Sequence, residues 1–134
     1  MGEYQIYSVN GPVVKVIGGR GLAMMDMVYA GREELIGEVV GVEGEMTTVQ
    51  VYEDTAGLAP GEPVRSTGAP MALLLGPGLL GNIFDGIGRP LRALESASGP
   101  FLGRGINIST LDSEKKWDVT ITVKEGDQVA PGTL

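Results

Sequence analysis

The sequence predicts a mainly β protein: a small N-terminal β-barrel, an irregular Gly/Pro connector, and then the first strands of a second β domain. Three observations carry that expectation. Turn-forming residues recur about every 8–12 positions through the first half of the chain, the rhythm of small barrels and sandwiches. The 134 residues include 22 Gly and 8 Pro, more than a fifth of the chain, set between clusters of Val, Ile and Leu rather than in a polar tract. Trp117, Val119, Ile121 and Val123 alternate strictly with Asp118, Thr120 and Thr122, the period of two that sends neighbouring side chains to opposite faces of a strand.

Each element has its own warrant. Ile6, Tyr7 and Val9 form a first strand before the turn Asn10-Gly11-Pro12. Val13, Val14, Val16 and Ile17 are a β-branched run suited to a pleated surface. It ends at Gly18-Gly19-Arg20-Gly21, read as a hairpin tip, with an anion-binding nest as the other use of such a run. Met24, Met25, Met27, Val28 and Tyr29 make a third strand, closed by Ala30-Gly31. Residues 35–42 make a fourth, in which Gly37 and Gly41 predict bulges or sharp bends. Residues 47–52 make a fifth, with Thr47, Val49 and Val51 on one face and Thr48, Gln50 and Tyr52 on the other. A long turn over 54–61 follows, where the Asp54 carboxylate is placed to cap a short helical turn. Pro63 and Val64, with residues 71–75, supply a last strand. An open twisted sheet would use the same strands; a barrel is favoured because closure removes exposed edges.

Residues 1–75 are thus assigned to the barrel, 76–105 to the connector and 106–134 to the start of the second β domain. In the connector, Gly76, Pro77, Gly78, Gly81, Gly86, Gly88 and Pro90 punctuate Leu79, Leu80, Ile83, Phe84 and Ile87. So many Gly and Pro oppose a long helix, and so many apolar residues are out of place in a free linker. The segment is expected to be irregular and buried, held by its Leu, Ile and Phe side chains. Residues 92–101, with Ser96, Ser98, Gly99 and Pro100, read as exposed loop. Ile106 and Ile108 flank Asn107 as a short strand, and Lys115-Lys116 is a charged turn. Trp117 is assigned to core packing rather than to a partner surface. The apolar face of 117–123 has little sequence after it to cover it, which predicts a chain that belongs to something longer or completes its sheet against another copy.

Composition excludes several functions. The net charge of −7, with ten scattered Lys and Arg, opposes binding to nucleic acid or an anionic membrane. The chain has no Cys, hence no disulfide, thiolate metal site or Cys nucleophile, and no His, the usual general base near neutral pH. No apolar run approaches the ~20 residues that span a bilayer, so no direct membrane insertion is expected. The N-terminus carries no basic region of the secretory kind.

No residue is assigned a catalytic, cofactor-binding or metal-binding role. Gly76-Pro77-Gly78-Leu79-Leu80-Gly81 fits G-x-G-x-x-G, but a dinucleotide site needs a helix next, and Gly86, Gly88 and Pro90 forbid one of useful length. Pro77 also has no N–H to offer a phosphate. No phosphate loop of the form G-x-x-x-x-G-K-[ST] occurs. The carboxylate pairs Glu33-Glu34, Glu43 with Glu45, and Glu53-Asp54 are read as solvated turns.

Several segments, in order, resemble one family. They are Glu53-Asp54-Thr55-Ala56-Gly57-Leu58; Gly61-Glu62-Pro63-Val64 with Thr67-Gly68-Ala69-Pro70; the connector from Gly76 to Leu91; and Phe101 to Gly105 with Trp117 and the turn Gly126-Asp127-Gln128-Val129. Together they resemble the N-terminal portion of the catalytic A subunits of vacuolar- and archaeal-type rotary ATPases. The resemblance implies that residues 1 to about 70 are the barrel that joins a collar of alternating A and B subunits. It implies that 106–134 begin the insertion that distinguishes A subunits from B subunits and from export-type ATPases. It places ATP or ADP, Mg, the phosphate loop and the catalytic Glu beyond Leu134, so the parent is an enzyme and this piece alone is not. The parent would couple ATP synthesis or hydrolysis to proton or sodium transport, with B subunits and other peripheral-sector subunits as partners, in the cytoplasm at the membrane surface. The residues alone leave two other readings: a free-standing β module that oligomerises through exposed strands, and a His-free hydrolase with no support beyond its carboxylate pairs.

Overall fold

The computed structural model describes residues 4–19, 21–101 and 103–132. Six strands, β1 (Tyr4–Asn10), β2 (Val13–Ile17), β3 (Asp26–Ala30), β4 (Leu35–Glu43), β5 (Met46–Val51) and β6 (Pro63–Pro70), close into an antiparallel barrel in the order β1-β2-β5-β4-β3-β6. The alternation of the sequence becomes the inside and outside of the barrel. Val14 and Val16 of β2, Val28 and Ala30 of β3, and Val49 and Val51 of β5 point inward, at most 2% exposed. Ile6, Leu22, Leu35, Val39 and Val64 complete that core, with Tyr4, Val9 and Leu58 packed at its ends. A barrel this small has room only for side chains, and branched aliphatics fill it.

The pleat is broken where the wall must bend. β1 slips one register against β2 between Ile6 and Ser8, and β4 slips against β5 between Val39 and Gly41. The extra residues, Tyr7 and Val40, are left on the outer wall, 57% and 43% exposed. Gly41 thus sits at a bulge, as its place inside the strand predicts. Gly37 serves a different end: a Cβ there would lie 2.9 Å from the Gln50 carbonyl oxygen and 2.8 Å from a Val49 methyl. The β4 backbone approaches β5 more closely there than any other residue would allow.

Several expectations need correction. Residues 18, 19 and 21 do not form a hairpin tip; β2 and β3 are not neighbours, so this segment crosses from one part of the wall to another, and Arg20 lies outside the described residues. Met24 and Met25 belong to a turn before β3, with Met25 at φ 72°. The last strand is Pro63–Pro70, without residues 71–75. The connector is irregular, with a 3₁₀ turn at Pro77–Leu79 and a tight turn over 85–89, and it is buried only in part: Leu80 and Ile83 are 84% and 73% exposed, whereas Leu79, Phe84 and Ile87 are half-buried and Arg89 is buried.

Of residues 92–101, expected as loop, only 99–101 are; 92–98 are helical. α1 (Leu91–Ser98) starts behind Pro90 and stops at Gly99, whose φ of +78° ends it, with Pro100 beyond. The Gly and Pro that suggest a loop are the stop signal of a helix built from Leu91, Arg92, Ala93, Leu94 and Glu95. Leu94 is its buried residue, and the Ser98 hydroxyl turns back to donate to the Leu94 carbonyl.

The other expected strands also fail to form. Neither Ile106 with Ile108 nor 117–123 pairs with another strand, and Val119 and Ile121 are 76% and 77% exposed. Trp117 is half exposed rather than in the core; the Lys115 ammonium stands 4.3 Å from its ring centre, and its edge lies over Gly78. Alternation is a capacity to pair, and a closed barrel offers no edge to pair with.

Truncating Leu35, fully buried, to Ala is expected to destabilise the barrel by about 2–5 kcal/mol in chemical denaturation. Gly37→Ala should also destabilise it, since the clash is with backbone that cannot rotate away; an unchanged midpoint would refute the close approach of β4 to β5.

Candidate functional site

A buried ion-pair cluster lies where the barrel meets the connector. β5 runs out at Val51, and Glu53, two residues on, folds beneath the segment that returns after α1. Its Oε1 accepts from Arg89 Nη1 at 2.7 Å and its Oε2 from the Gly105 N–H at 2.6 Å. Arg89 Nε donates to Asp85 Oδ2 at 2.8 Å, and Arg89 Nη1 also donates to the Ile106 carbonyl at 3.0 Å. One guanidinium therefore ties together the barrel, the connector and the segment beyond the helix. The Arg89 and Glu53 side chains are 9% and 7% exposed.

The local chain is folded to make this geometry. Asp85 Oδ1 accepts from the N–H groups of Ile87 and Arg89, and the Asp85 N–H donates to the Arg89 carbonyl at 3.0 Å. Gly86 and Gly88 permit that tight loop, with Gly88 at φ 82°. Burial alone would raise the Asp85 carboxyl, but the backbone and side-chain hydrogen bonds from Arg89, its positive charge and the Ile87 N–H outweigh it and hold the group below the usual carboxylate range. Charge-assisted, forked bonds of this kind are the strong ones.

A second, more open set of contacts lies beside the first. Arg104 pairs with Glu33 at 3.0 Å and donates to the carbonyls of Asp54 and Ala56. Gly105, at φ 65°, presses so close that a Cβ would fall on the Glu33 carbonyl oxygen. Between barrel and connector runs a cleft of about 300 Å³, with Tyr29 and Ile36 on one wall and Leu73, Ile87 and Arg89 on the other. Among the described residues, no group of three acidic, His or Cys side chains is placed to hold a metal ion. Each carboxylate of the clamp accepts hydrogen bonds from Arg89 or from backbone N–H groups, an arrangement that holds chain segments in place.

The sequence motifs fare unevenly. Residues 76–81 form an irregular turn approached by Leu111 and Trp117. Glu33 and Glu34 are exposed partners of Arg104 and Arg65, and Glu43 and Glu45 lie exposed around the β4–β5 turn, as a solvated-turn reading predicts. Asp54 caps no helix, but its carboxylate accepts from the Ala56 N–H in a local turn. Glu53 is the correction: it is a buried ion-pair partner. Sequence reasoning missed Arg89 as well. Asp85 and Arg89, four apart around two glycines, give a local signal, whereas nothing near Glu53 marks a partner 36 residues away.

Gly105→Ala is expected to weaken the closure of this junction, because the new methyl meets backbone and the φ is strained. Asp85→Asn probes the charge. A carboxyl held low in the folded state contributes stability that is complete above its unfolded pKa, about 3.9, and is lost as pH falls through the lowered folded value. In urea unfolding followed by Trp117 emission, Asp85→Asn should therefore be less stable than the parent chain at neutral pH, and the difference should close in strong acid. A gap that stays constant with pH would show that the Asp85 charge is not involved.

Comparison with known proteins fits this architecture. The family model of the ATP synthase alpha/beta family, β-barrel domain, matches residues 6–68, which span β1 to β6 except for the ends. The V-type ATP synthase alpha chain of Halothermothrix orenii is 51% identical over 130 residues, 97% of this chain and 22% of the relative. The A subunit of the A-type ATP synthase of Natronomonas pharaonis is 50% identical over 132 residues, 98% of this chain and 22% of the relative. The V-type ATP synthase alpha chain of Acetivibrio thermocellus is 49% identical over all 134 residues, 23% of the relative. The chain spans less than a quarter of the length of these relatives. A closed six-stranded barrel matched by the family model, and near 50% identity that continues through the connector and α1, place the chain in the ATP synthase alpha/beta family, as an N-terminal portion of a V/A-type alpha (A) subunit.

Proposed function

We propose that this chain is the scaffold end of the catalytic A subunit of a V/A-type ATP synthase, and that it serves assembly of the subunit ring rather than turnover of nucleotide. The observation that carries the reading is the extent of the identity. It covers 97–100% of the chain in alpha and A subunits, well past residue 68 where the barrel match ends. The connector and residues 106–134 are then parts of the A subunit, and the latter begin its insertion.

In this reading the barrel stands in a collar beside B subunits. Its outer wall suits packing against neighbours, since Tyr7, Val13, Ile17, Val40 and Val42 hold apolar surface outside the core. ATP or ADP with Mg, and the coupling of their chemistry to proton or sodium movement, belong to the assembled complex and the remainder of the parent subunit. The complex holds the chain at the cytoplasmic face of a membrane. Among the described residues no helix is long and apolar enough to cross one.

Two measurements test this. Calorimetric titration with Mg-ATP should give no saturable heat, and sedimentation with a V/A-type B subunit should give a complex. Saturable ATP binding in the micromolar range would overturn the assignment of the nucleotide site to the rest of the parent. A defined homo-oligomer that ignores the B subunit would replace the reading with a free-standing β module.

A further inference from the structure

We propose that the Glu53–Arg89–Asp85 clamp is a latch: the described residues of segment 83–106, including α1, form an arm that docks on the barrel as one cooperative unit and can leave it as one unit while the barrel stays folded. Three observations carry this. First, the barrel core is closed without the arm. Every residue of the core cluster lies between Tyr4 and Val64, so undocking removes nothing from it. Second, a defined set of polar groups holds the arm to the barrel. Arg89 and Gly105 meet Glu53, and Arg104 meets Glu33 and the carbonyls of Asp54 and Ala56. Apolar groups are buried as well: Ile36, on the outer side of β4, faces the cleft at 7% exposure, and Leu94 of α1 is fully buried outside the barrel core cluster.

Third, the charge balance makes half-open states costly. One cation, Arg89, is shared between two carboxylates that come from different parts of the chain. With the latch closed, no buried side-chain nitrogen or oxygen among the described residues lacks a hydrogen-bond partner. Drawing Arg89 out alone would leave Glu53 and Asp85 desolvated and mutually repelling, and an orphaned buried charge is far more costly than a fully paired or a fully hydrated one. The low-cost states are therefore the docked arm and the fully undocked arm with all three groups in water. Within the arm, the Leu91 N–H donates to the Ile83 carbonyl, Leu94 N–H to Pro90, and Gly99 N–H to Glu95, so these bonds tie the connector to α1. The latch is a conformational device at the point where the barrel is joined to the remainder of the chain, and its opening lets the barrel turn relative to α1 without unfolding.

Native-state hydrogen exchange on the full chain, read residue by residue across sub-denaturing urea, tests this without any substitution. The amides of Leu91, Leu94, Gly99 and Gly105 should converge on one opening reaction, easier than the reaction that exposes the barrel amides of Ile6, Gly31 and Val51. In Arg89→Met, the arm amides should lose protection by a factor on the order of 100 or more, as expected for a broken buried pair, while the barrel amides keep theirs. Glu53→Gln, which retains an acceptor for Gly105, should give a smaller loss at the same arm amides. One common reaction for arm and barrel, separate reactions for each arm amide, or an equal loss of barrel protection in Arg89→Met would each overturn the latch.

Discussion

β6 pairs with β1 on one side and β3 on the other, and that double pairing constrains everything else in the molecule. It turns a six-stranded sheet into a tube with no free edge, and it encloses the branched aliphatic side chains on which the fold rests. The β1–β6 seam is short, with Tyr4 opposite Val64 and Gln5 opposite Pro63. It is reinforced by flanking backbone bonds, from the Ile6 N–H to the Glu62 carbonyl and from the Gly61 N–H to the Ile6 carbonyl. A proline in β6 at this seam is tolerated because it is the first residue of its strand.

Closure explains why the rest of the chain attaches as it does. No strand after Pro70 can join the barrel, because no ladder position is open. Among the described residues, no apolar side chain after Val64 enters the core cluster. The outer surface remains, and there the chain uses charge: Glu53 beneath Arg89 and Gly105, Glu33 beside Arg104. Polar attachment is geometrically strict and costly to break part-way, whereas an apolar patch would tolerate sliding. A scaffold that must set the direction of a following domain is well served by strict attachment, which links the junction to the assembly role proposed for the barrel.

The barrel was legible because its signal is local. Val14 and Val16, Val28 and Ala30, and Val49 and Val51 alternate with outward residues, and each strand is bounded by Gly, Asn or Pro turns. The bulge at Gly41 was legible for the same reason. The junction was less so. The Gly99-Pro100 pair marks the end of α1 but looks like loop when the helix-forming residues before it are not weighed together. Glu53 beside Asp54 looks like a solvated turn, because acidic pairs at strand ends usually are. Its burial depends on Arg89 arriving from 36 residues away, and no neighbouring residue encodes that.

The sequence by itself determined which residues can be strands, where the chain must turn, and, through the ordered run of segments from Glu53 to Val129, which family it resembles. These are properties of nearest neighbours and of periodicity, and they survive without coordinates. Only the tertiary structure decided which strands are neighbours, that residues 117–123 find no partner despite the clearest alternation in the chain, and that Arg89 sits between two carboxylates. The physical reason is the same in each case: hydrogen-bond pairing and ion-pair burial depend on distance in space, and closing the barrel sets those distances all at once.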